Sequence, residues 1–308
     1  MPLPAPFGGI LPPLCTPLTE AFEVDVPSLE RLIEFQLTAG VHGLFLLGTS
    51  SETTLLTDAQ RATVVEVGIG AAAGRVPVIV GVLDTSTAPA IEHGRIARRF
   101  GADALVLTAP FYVGGNQAEI LTHFRQVRAA VDLPILAYDI PVTVHAKLAK
   151  ETVLQLAREG TIVGLKDSSG DEGNLRAVVT EGRDIPGFAV FTGAERTADL
   201  SLSYGASGIV PGLANVDPGA FVRLYDAEMA GDWEAARREQ DRILRLFPLI
   251  STVDPNRMGR FSSIYGGFKT ALMLQGVIAT NVVGRPLARF DAADAERVRA
   301  VLLDVGLV

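Results

Sequence analysis

Ile162-Val163-Gly164-Leu165-Lys166-Asp167-Ser168-Ser169-Gly170 is a short apolar run that ends in a lysine and continues into a Ser/Asp/Gly loop. The chain has only four lysines among its 27 basic residues. Lys147 and Lys150 open an amphipathic segment, Lys-Leu-Ala-Lys-Glu, as solvated helix residues do, and Lys269 lies in a C-terminal helical pattern. Only Lys166 finishes a β-type run. A lysine there either caps a strand against solvent or points into a pocket. Arginine would cap equally well, and this chain uses arginine almost everywhere else. Lysine is the residue that shifts its pKa readily and forms Schiff bases, so the contrast favours chemistry at Lys166.

Working outward from this run, the same unit repeats. Apolar strands are predicted at 8–14, 43–47, 77–81, 104–107, 134–138, 162–166, 188–191 and 208–210. Helical periodicity follows at 28–39, 58–73, 85–100, 118–130, 147–158, 171–180 and 196–204, with Asp58 as the expected cap of the second helix. Continuous apolar strands between amphipathic helices indicate a parallel sheet buried on both faces. Eight such units predict an α/β fold, a closed (β/α)8 TIM barrel over residues 1–217. An open doubly wound sheet would announce itself by a Gly-rich phosphate turn after the first strand, and Leu14-Cys15-Thr16-Pro17 is not one. Further helices at 218–229, 232–250, 262–275 and 292–303 predict a C-terminal helical region over 218–308, packed on the barrel.

Composition narrows the function classes. With 48% hydrophobic and 20% charged residues, the 308-residue chain is expected to bury a large core. Its net charge of −8 gives no basic footprint for nucleic acid. No apolar run reaches the ~18 residues needed to span a membrane, and the N-terminus has no signal-peptide pattern. The single cysteine, Cys15, sits in an apolar run and reads as core. These features point to a cytoplasmic protein. His42, His93, His123 and His145 are scattered without ligand spacing, so no metal site is expected.

Chemistry in a barrel gathers at the C-terminal ends of its strands. There the chain places Gly48-Thr49-Ser50-Ser51-Glu52, Pro110-Phe111-Tyr112, Tyr138-Asp139-Ile140-Pro141, Lys166 and Gly193-Ala194-Glu195. Hydroxyls, a phenol and an amine would converge on one opening. Thr49 and Ser50 suit a carboxylate, although Gly-Thr-Ser-Ser-Glu alone reads sooner as an ordinary turn into a helix. Tyr138 alone reads sooner as a core tyrosine with a satisfied hydroxyl, and it is the convergence of these groups that points to a site. A sugar-phosphate site after strands seven and eight has no Lys or Arg between Gly205 and Ala220.

Three motifs in this order, Gly-Thr-Ser-Ser-Glu at 48–52, Tyr-Asp-Ile-Pro at 138–141 and Gly-Leu-Lys-Asp at 164–167, carry a resemblance over nearly the whole chain. It resembles the dihydrodipicolinate synthase / N-acetylneuraminate lyase family of pyruvate-linked class I aldolases. The family usually has glycine where Ser51 stands and asparagine where Asp139 stands. The resemblance implies a homotetramer, a dimer of dimers, in which Tyr112 reaches the neighbouring subunit's site and extends a proton relay from Tyr138 and Thr49. Catalysis is then assigned to Lys166, Tyr138, Thr49 and Tyr112, and substrate binding to Thr49, Ser50, Thr143, Ser168, Glu195 and Ile209. Lys166, desolvated and partly neutral, would form an imine with a 2-oxo acid such as pyruvate, with no cofactor, and an aldehyde would be the second reactant.

The family's synthases bind the carboxylate of aspartate semialdehyde with an arginine where this chain has Thr143, and its neuraminate lyases have an Asp-Glu pair where it has Glu195-Arg196. The reading therefore favours aldolases of 2-keto-3-deoxy sugar acids or 4-hydroxy-2-oxo acids. The synthase and a 2-keto-3-deoxy acid dehydratase are alternatives, and a non-catalytic small-molecule-binding barrel is the alternative of another class. At the positions where some family synthases bind inhibitory free lysine, this chain has Asp58, Arg61, Thr85, Pro89 and Phe111, and lysine inhibition is not expected.

Overall fold

The computed structural model describes residues 3–4, 7–251, 253–254 and 256–308. Its strands are β1 (Gly9–Ile10), β2 (Leu44–Leu46), β3 (Val78–Gly81), β4 (Ala104–Leu107), β5 (Ile135–Asp139), β6 (Gly164–Asp167), β7 (Ala189–Thr192) and β8 (Gly208–Ile209). All ladders are parallel and β1 pairs with β8, giving the order β1-β8-β7-β6-β5-β4-β3-β2. The circle closes just beyond β1, where Pro13 bridges Phe45 and the Leu14 N–H donates to the Phe45 carbonyl at 2.9 Å. The result is the (β/α)8 barrel.

The strand period of two sorts the side chains. Phe45, Ile79, Val106, Leu136, Tyr138 and Phe191 form a cluster inside the barrel. Leu44, Leu46, Val80, Leu105, Ala137, Leu165 and Ile209 pack outward, in the core between barrel and helices. That parity decides which residues can meet a substrate.

The surrounding helices are α1 (Val26–Thr38), α2 (Asp58–Ala72), α3 (Thr87–Phe100), α4 (Gln117–Ala130), the single turn α5 (Pro141–Val144), α6 (Lys150–Arg158), α7 (Glu172–Gly182) and α8 (Ala198–Ser203). The cap of α2 is Thr57 rather than Asp58. The Thr57 hydroxyl accepts from the Gln60 N–H while the Gln60 side chain accepts from the Thr57 N–H, a reciprocal box that a threonine makes with the glutamine three residues on.

After β8 come α9 (Pro218–Ala230), α10 (Trp233–Leu246), α11 (Arg260–Leu274) and α12 (Ala292–Asp304). Pro218 at the first turn of α9 and Asp217 as its cap fix where it starts. α9 packs on α8 and β1 and, most extensively, on α10, so it joins the barrel to the helices that follow. The expected 232–250 helix ends at Leu246, and Phe247–Ile250 turns as a 3-10 segment around Pro248. No helix among the described residues is long and apolar enough to cross a membrane.

Candidate active site

Strand pairing brings the two central groups together. Tyr138 on β5 is in register with Lys166 on β6, and both face the barrel interior. Lys166 is 4% exposed, and its Nζ lies 4.1 Å from the centre of the Tyr138 ring and 5.1 Å from that of Phe45. The Tyr138 hydroxyl is 3.3 Å from the Thr49 hydroxyl. An amine, a phenol and a threonine hydroxyl therefore stand in one line of contact at the C-terminal mouth.

The turn after β2 is built to hold Thr49 in place. Thr49–Ser51 is a single 3-10 turn. Gly48 must be glycine, because a Cβ there would lie 2.8 Å from the Phe45 ring. The Ser51 hydroxyl, where the family pattern has glycine, donates to the Leu14 carbonyl and accepts from the Gly48 N–H at 3.1 Å. The serine thus ties the turn to the β1 loop. Glu52 closes the turn in the left-handed region at φ 57°. Its carboxylate is buried, receives the Gly284 N–H at 2.5 Å and pairs with the fully buried ammonium of Lys269 on α11. The Lys269 ammonium also donates to the Val282 carbonyl at 2.8 Å. Read from sequence as one residue of a helical pattern, Lys269 is the anchor between this turn and the C-terminal helices.

Asp139, where the family pattern has asparagine, faces outward from β5. Burial pushes its carboxyl up, against the opposing pull of Lys147, which pairs with it, and of the Leu148 N–H at 3.1 Å. Lys147 also sits 3.8 Å from Asp167. It is therefore not the solvated helix residue that its sequence context suggested. The extra acid at 139 is matched by a lysine from the loop that follows.

A cavity of about 420 Å³ opens over Lys166, lined among others by Thr49, Ser50, Tyr138, Ser168, Glu195 and Val210. Gly193 gives Ser168 its space, since a Cβ there would fall 2.1 Å from the Ser168 hydroxyl. Glu195 accepts from the Leu213 N–H at 2.7 Å. Burial pushes its carboxyl up to about 7, while the Leu213 N–H, Lys166 and Arg196 pull the other way.

Ile209 points outward. It is fully buried in the core behind β8, and by the alternation of the strand Val210 is the residue that lines the cavity. The assignment of Ile209 to substrate binding is corrected accordingly. Thr143 lines an adjoining cavity of about 370 Å³, which shares Thr49, Ile140, Val142, Phe261 and Tyr265 with the first. Its hydroxyl donates to the Ile140 carbonyl at 3.1 Å. Tyr112 lies apart from the others, 92% exposed at a positive φ of 76°. Two contributors were not singled out in the sequence. Tyr265 lines both cavities, its phenol raised by burial and by the nearby Glu52, and Arg260 stands at the rim. Both come from α11, whose sequence shows only helical periodicity.

With this geometry in view, relatives can be weighed. The model of the Dihydrodipicolinate synthetase family matches residues 6–304. The chain belongs to this family. It is 37% identical over 250 residues to the 4-hydroxy-tetrahydrodipicolinate synthase of Exiguobacterium sibiricum, covering 81% of this chain and 85% of that one. Its identity to the enzyme of the same name from Methanoculleus marisnigri is 33% over 304 residues, covering 97% and 100% of the two chains. Among solved structures, the dihydrodipicolinate synthase of Bacteroides thetaiotaomicron superposes with a TM-score of 0.92 at 32% identity, over 99% of this chain and 100% of that one. A prophage protein of E. coli K12 belonging to the dihydrodipicolinic acid synthase family, solved in complex with pyruvate, gives 0.89 at 28%, over 98% and 99%. As a dihydrodipicolinate synthetase family member the chain is a lyase, a pyruvate-dependent class I aldolase that works through a Schiff-base lysine.

Proposed function

We propose that Lys166 carries the imine and that the chain cleaves a 2-keto-3-deoxy sugar acid, or a related 4-hydroxy-2-oxo acid, to pyruvate and an aldehyde. One observation carries the lysine assignment. Lys147 pairs with Asp139, Lys150 with Glu181 and Lys269 with Glu52, whereas Lys166 has no carboxylate in ion-pair contact among the described residues and opens on a cavity.

The Lys166 amine attacks the C2 ketone of the substrate. Tyr138 gives a proton to the carbinolamine oxygen, water leaves, and an iminium remains. Thr49 and Ser50 hold the substrate carboxylate and fix the attack geometry. Tyr138 then takes the proton of the C4 hydroxyl. The C3–C4 bond breaks, its electron pair moves into the iminium to give an enamine, and the aldehyde departs. Protonation at C3 and hydrolysis return pyruvate and the free amine. Tyr112, so exposed here, would act from one subunit on its neighbour in the expected tetramer.

Thr143 supports a hydroxylated substrate over aspartate semialdehyde, because a neutral side chain bonded to its own turn cannot form the charge-assisted pair that an arginine makes. Ser168 and Glu195 offer hydrogen-bond partners for sugar hydroxyls. The synthase reading is kept as a second one on the names of the relatives. The test measures both reactions on one preparation, pyruvate release from a 2-keto-3-deoxy acid and condensation of pyruvate with aspartate semialdehyde. Cleavage is expected to have the higher kcat/KM, and faster condensation would overturn the choice.

A further inference from the structure

The hydrogen bonds that close the barrel continue past β1 by an uncommon route. In a parallel sheet, successive residues of one strand bond alternately to the neighbour on either side. Even-numbered residues of the first strand face β2. The Ile10 carbonyl accepts from the His42 N–H at 2.9 Å, the Pro12 carbonyl from the Phe45 N–H at 3.0 Å, and the Leu14 N–H donates to the Phe45 carbonyl at 2.9 Å. Odd-numbered residues face β8. The Gly9 N–H donates to the Ser207 carbonyl at 2.9 Å and the Leu11 N–H to the Ile209 carbonyl at 3.0 Å. At Pro13 this second series has no N–H to give, and β8 has already ended at Ile209.

Asn215 takes the place of the missing strand. It ends the 3-10 turn Leu213–Asn215 after β8 and is 0% exposed. Its side-chain oxygen accepts from the Cys15 N–H at 2.9 Å, and its amino group donates to the Pro13 and Gly212 carbonyls, each at 2.9 Å. The amide can stand only this way round, because its NH2 end alone can meet two carbonyls. One carboxamide thus offers the first strand the acceptor and the donor that the peptides of a neighbouring strand would offer. Gln36 and Gln240 are also buried amides bonded to loops at this end of the barrel. Each of them bonds within a single loop, Gln36 to the Ala214 and Asn215 carbonyls and Gln240 to the Glu195 carbonyl and the Asp199 N–H. Asn215 joins two.

What Asn215 holds leads to the site. Leu14 lies between the two first-strand residues that it bonds, and the Leu14 carbonyl accepts the Ser51 hydroxyl, which in turn accepts from the Gly48 N–H at 3.1 Å. Those bonds set the Thr49–Ser51 turn. Gly212 lines the cavity over Lys166, and a Cβ there would lie 3.5 Å from the Ser50 hydroxyl. We infer that Asn215 is a positioning residue of the reaction: its carboxamide completes the barrel's ring of hydrogen bonds at the mouth and, through Leu14 and Gly212, holds Thr49 and Ser50 where they receive the carboxylate of the 2-oxo acid. Asn215 stands behind the cavity wall and takes no part in the bond change. The inference rests on the assignment of Thr49, Ser50 and Lys166 in the proposed reaction.

Borohydride trapping of the pyruvate imine tests it, read as the pyruvate concentration that gives half the maximal label. Asn215→Asp keeps the size of the side chain and the acceptor for the Cys15 N–H, but turns a carboxylate on the Pro13 and Gly212 carbonyls. Half-saturation should rise by roughly 10-fold at alkaline pH and return towards wild type at each lower pH, as the protonated acid regains a donor. The maximal label should be retained, because Lys166 stands on β6 and keeps its surroundings. Ser51→Ala removes one hydroxyl on the far side of Leu14 and should also raise half-saturation. Asn215→Asp added to Ser51→Ala should then raise it by a smaller factor than in wild type, since the link through Leu14 is already cut. An Asn215→Asp protein with wild-type circular dichroism and unmoved half-saturation, or factors that simply multiply in the double variant, overturns the inference. Should Asn215→Asp not fold, Ser51→Ala decides alone, and unmoved half-saturation there refutes the path to Thr49 and Ser50. Wild-type protein that retains no pyruvyl group on Lys166 refutes the reading of the site itself, an outcome distinct from all of these.

Discussion

Replacing Lys269 by methionine tests how the catalytic turn is held. Met nearly fills the lysine volume, so the change removes a charge rather than opening a cavity. It leaves the buried Glu52 carboxylate with the Gly284 N–H as its remaining hydrogen-bond donor. Removing one partner of a buried pair costs about 3–5 kcal/mol. At about 2.1 cal/mol/K per residue, unfolding of a chain this long carries an entropy near 0.65 kcal/mol/K, so the melting temperature should fall by roughly 5–8 °C. Calorimetry at fixed protein concentration measures it. The double variant Glu52→Gln, Lys269→Met removes the stranded charge and should recover much of the loss. Because Glu52 ends the Thr49–Ser51 turn at a positive φ, the single variant should also raise KM for the 2-oxo acid. A fall below about 2 °C, or a double variant as unstable as the sum of its parts, would refute the reasoning.

Other outcomes follow from the same geometry. Lys166→Ala should abolish both borohydride labelling by pyruvate and turnover, and a label found on Lys147, Lys150 or Lys269 would sink the assignment. Tyr138→Phe should keep the fold and lower turnover by roughly 10²–10⁴-fold. Since burial raises Glu195 from 4.5 to about 7, the native state binds more protons than the unfolded chain between those values. Its contribution to stability should therefore fall as pH rises through that window, and Glu195→Gln should remove that part of the pH dependence; an unchanged profile would count against it. Burial pushes the Cys15 thiol up to about 12, so iodoacetamide at neutral pH should leave the native protein unlabelled, and rapid labelling would contradict the buried site. Millimolar L-lysine should not inhibit, because Arg61 stands at the corresponding position and bonds Asp84 at 3.1 Å and His93 at 2.8 Å; inhibition in a steady-state assay would show otherwise.

Much of the fold was legible because it rests on local patterns. Each barrel strand is an apolar run flanked by amphipathic helices, and both signals lie within a few residues of each other. The pairing of Tyr138 with Lys166 could be anticipated from strand order alone. What sequence did not disclose depends on distance along the chain or on parity. Glu52 meets Gly284 across 232 residues, and no local pattern announces that contact. Tyr265 and Arg260 sit in a helix whose periodicity says which face is apolar, but not that its first turns overhang the barrel mouth. Ile209 was misplaced because β8 is only two residues long, too short for an alternation to show which residue faces inward. Lys147 looked solvated because its partner, Asp139, lies back on β5, while Lys147 itself stands in the loop before α6.

The two departures from the family pattern also acquire a physical meaning. A serine at 51 and an acid at 139 each introduce a polar group into buried surroundings, and each is met, by the Leu14 carbonyl and the Gly48 N–H in one case and by Lys147 in the other. Burying such groups without partners would cost stability, so the matches explain how the catalytic motifs tolerate the changes. The same accounting isolates Lys166. Three lysines are satisfied by carboxylates, and the fourth is held beside two aromatic faces at the floor of a cavity with no carboxylate in ion-pair contact among the described residues. In the proposed reaction a 2-oxo acid would bring its carboxylate to Thr49 and Ser50 and its ketone to this amine.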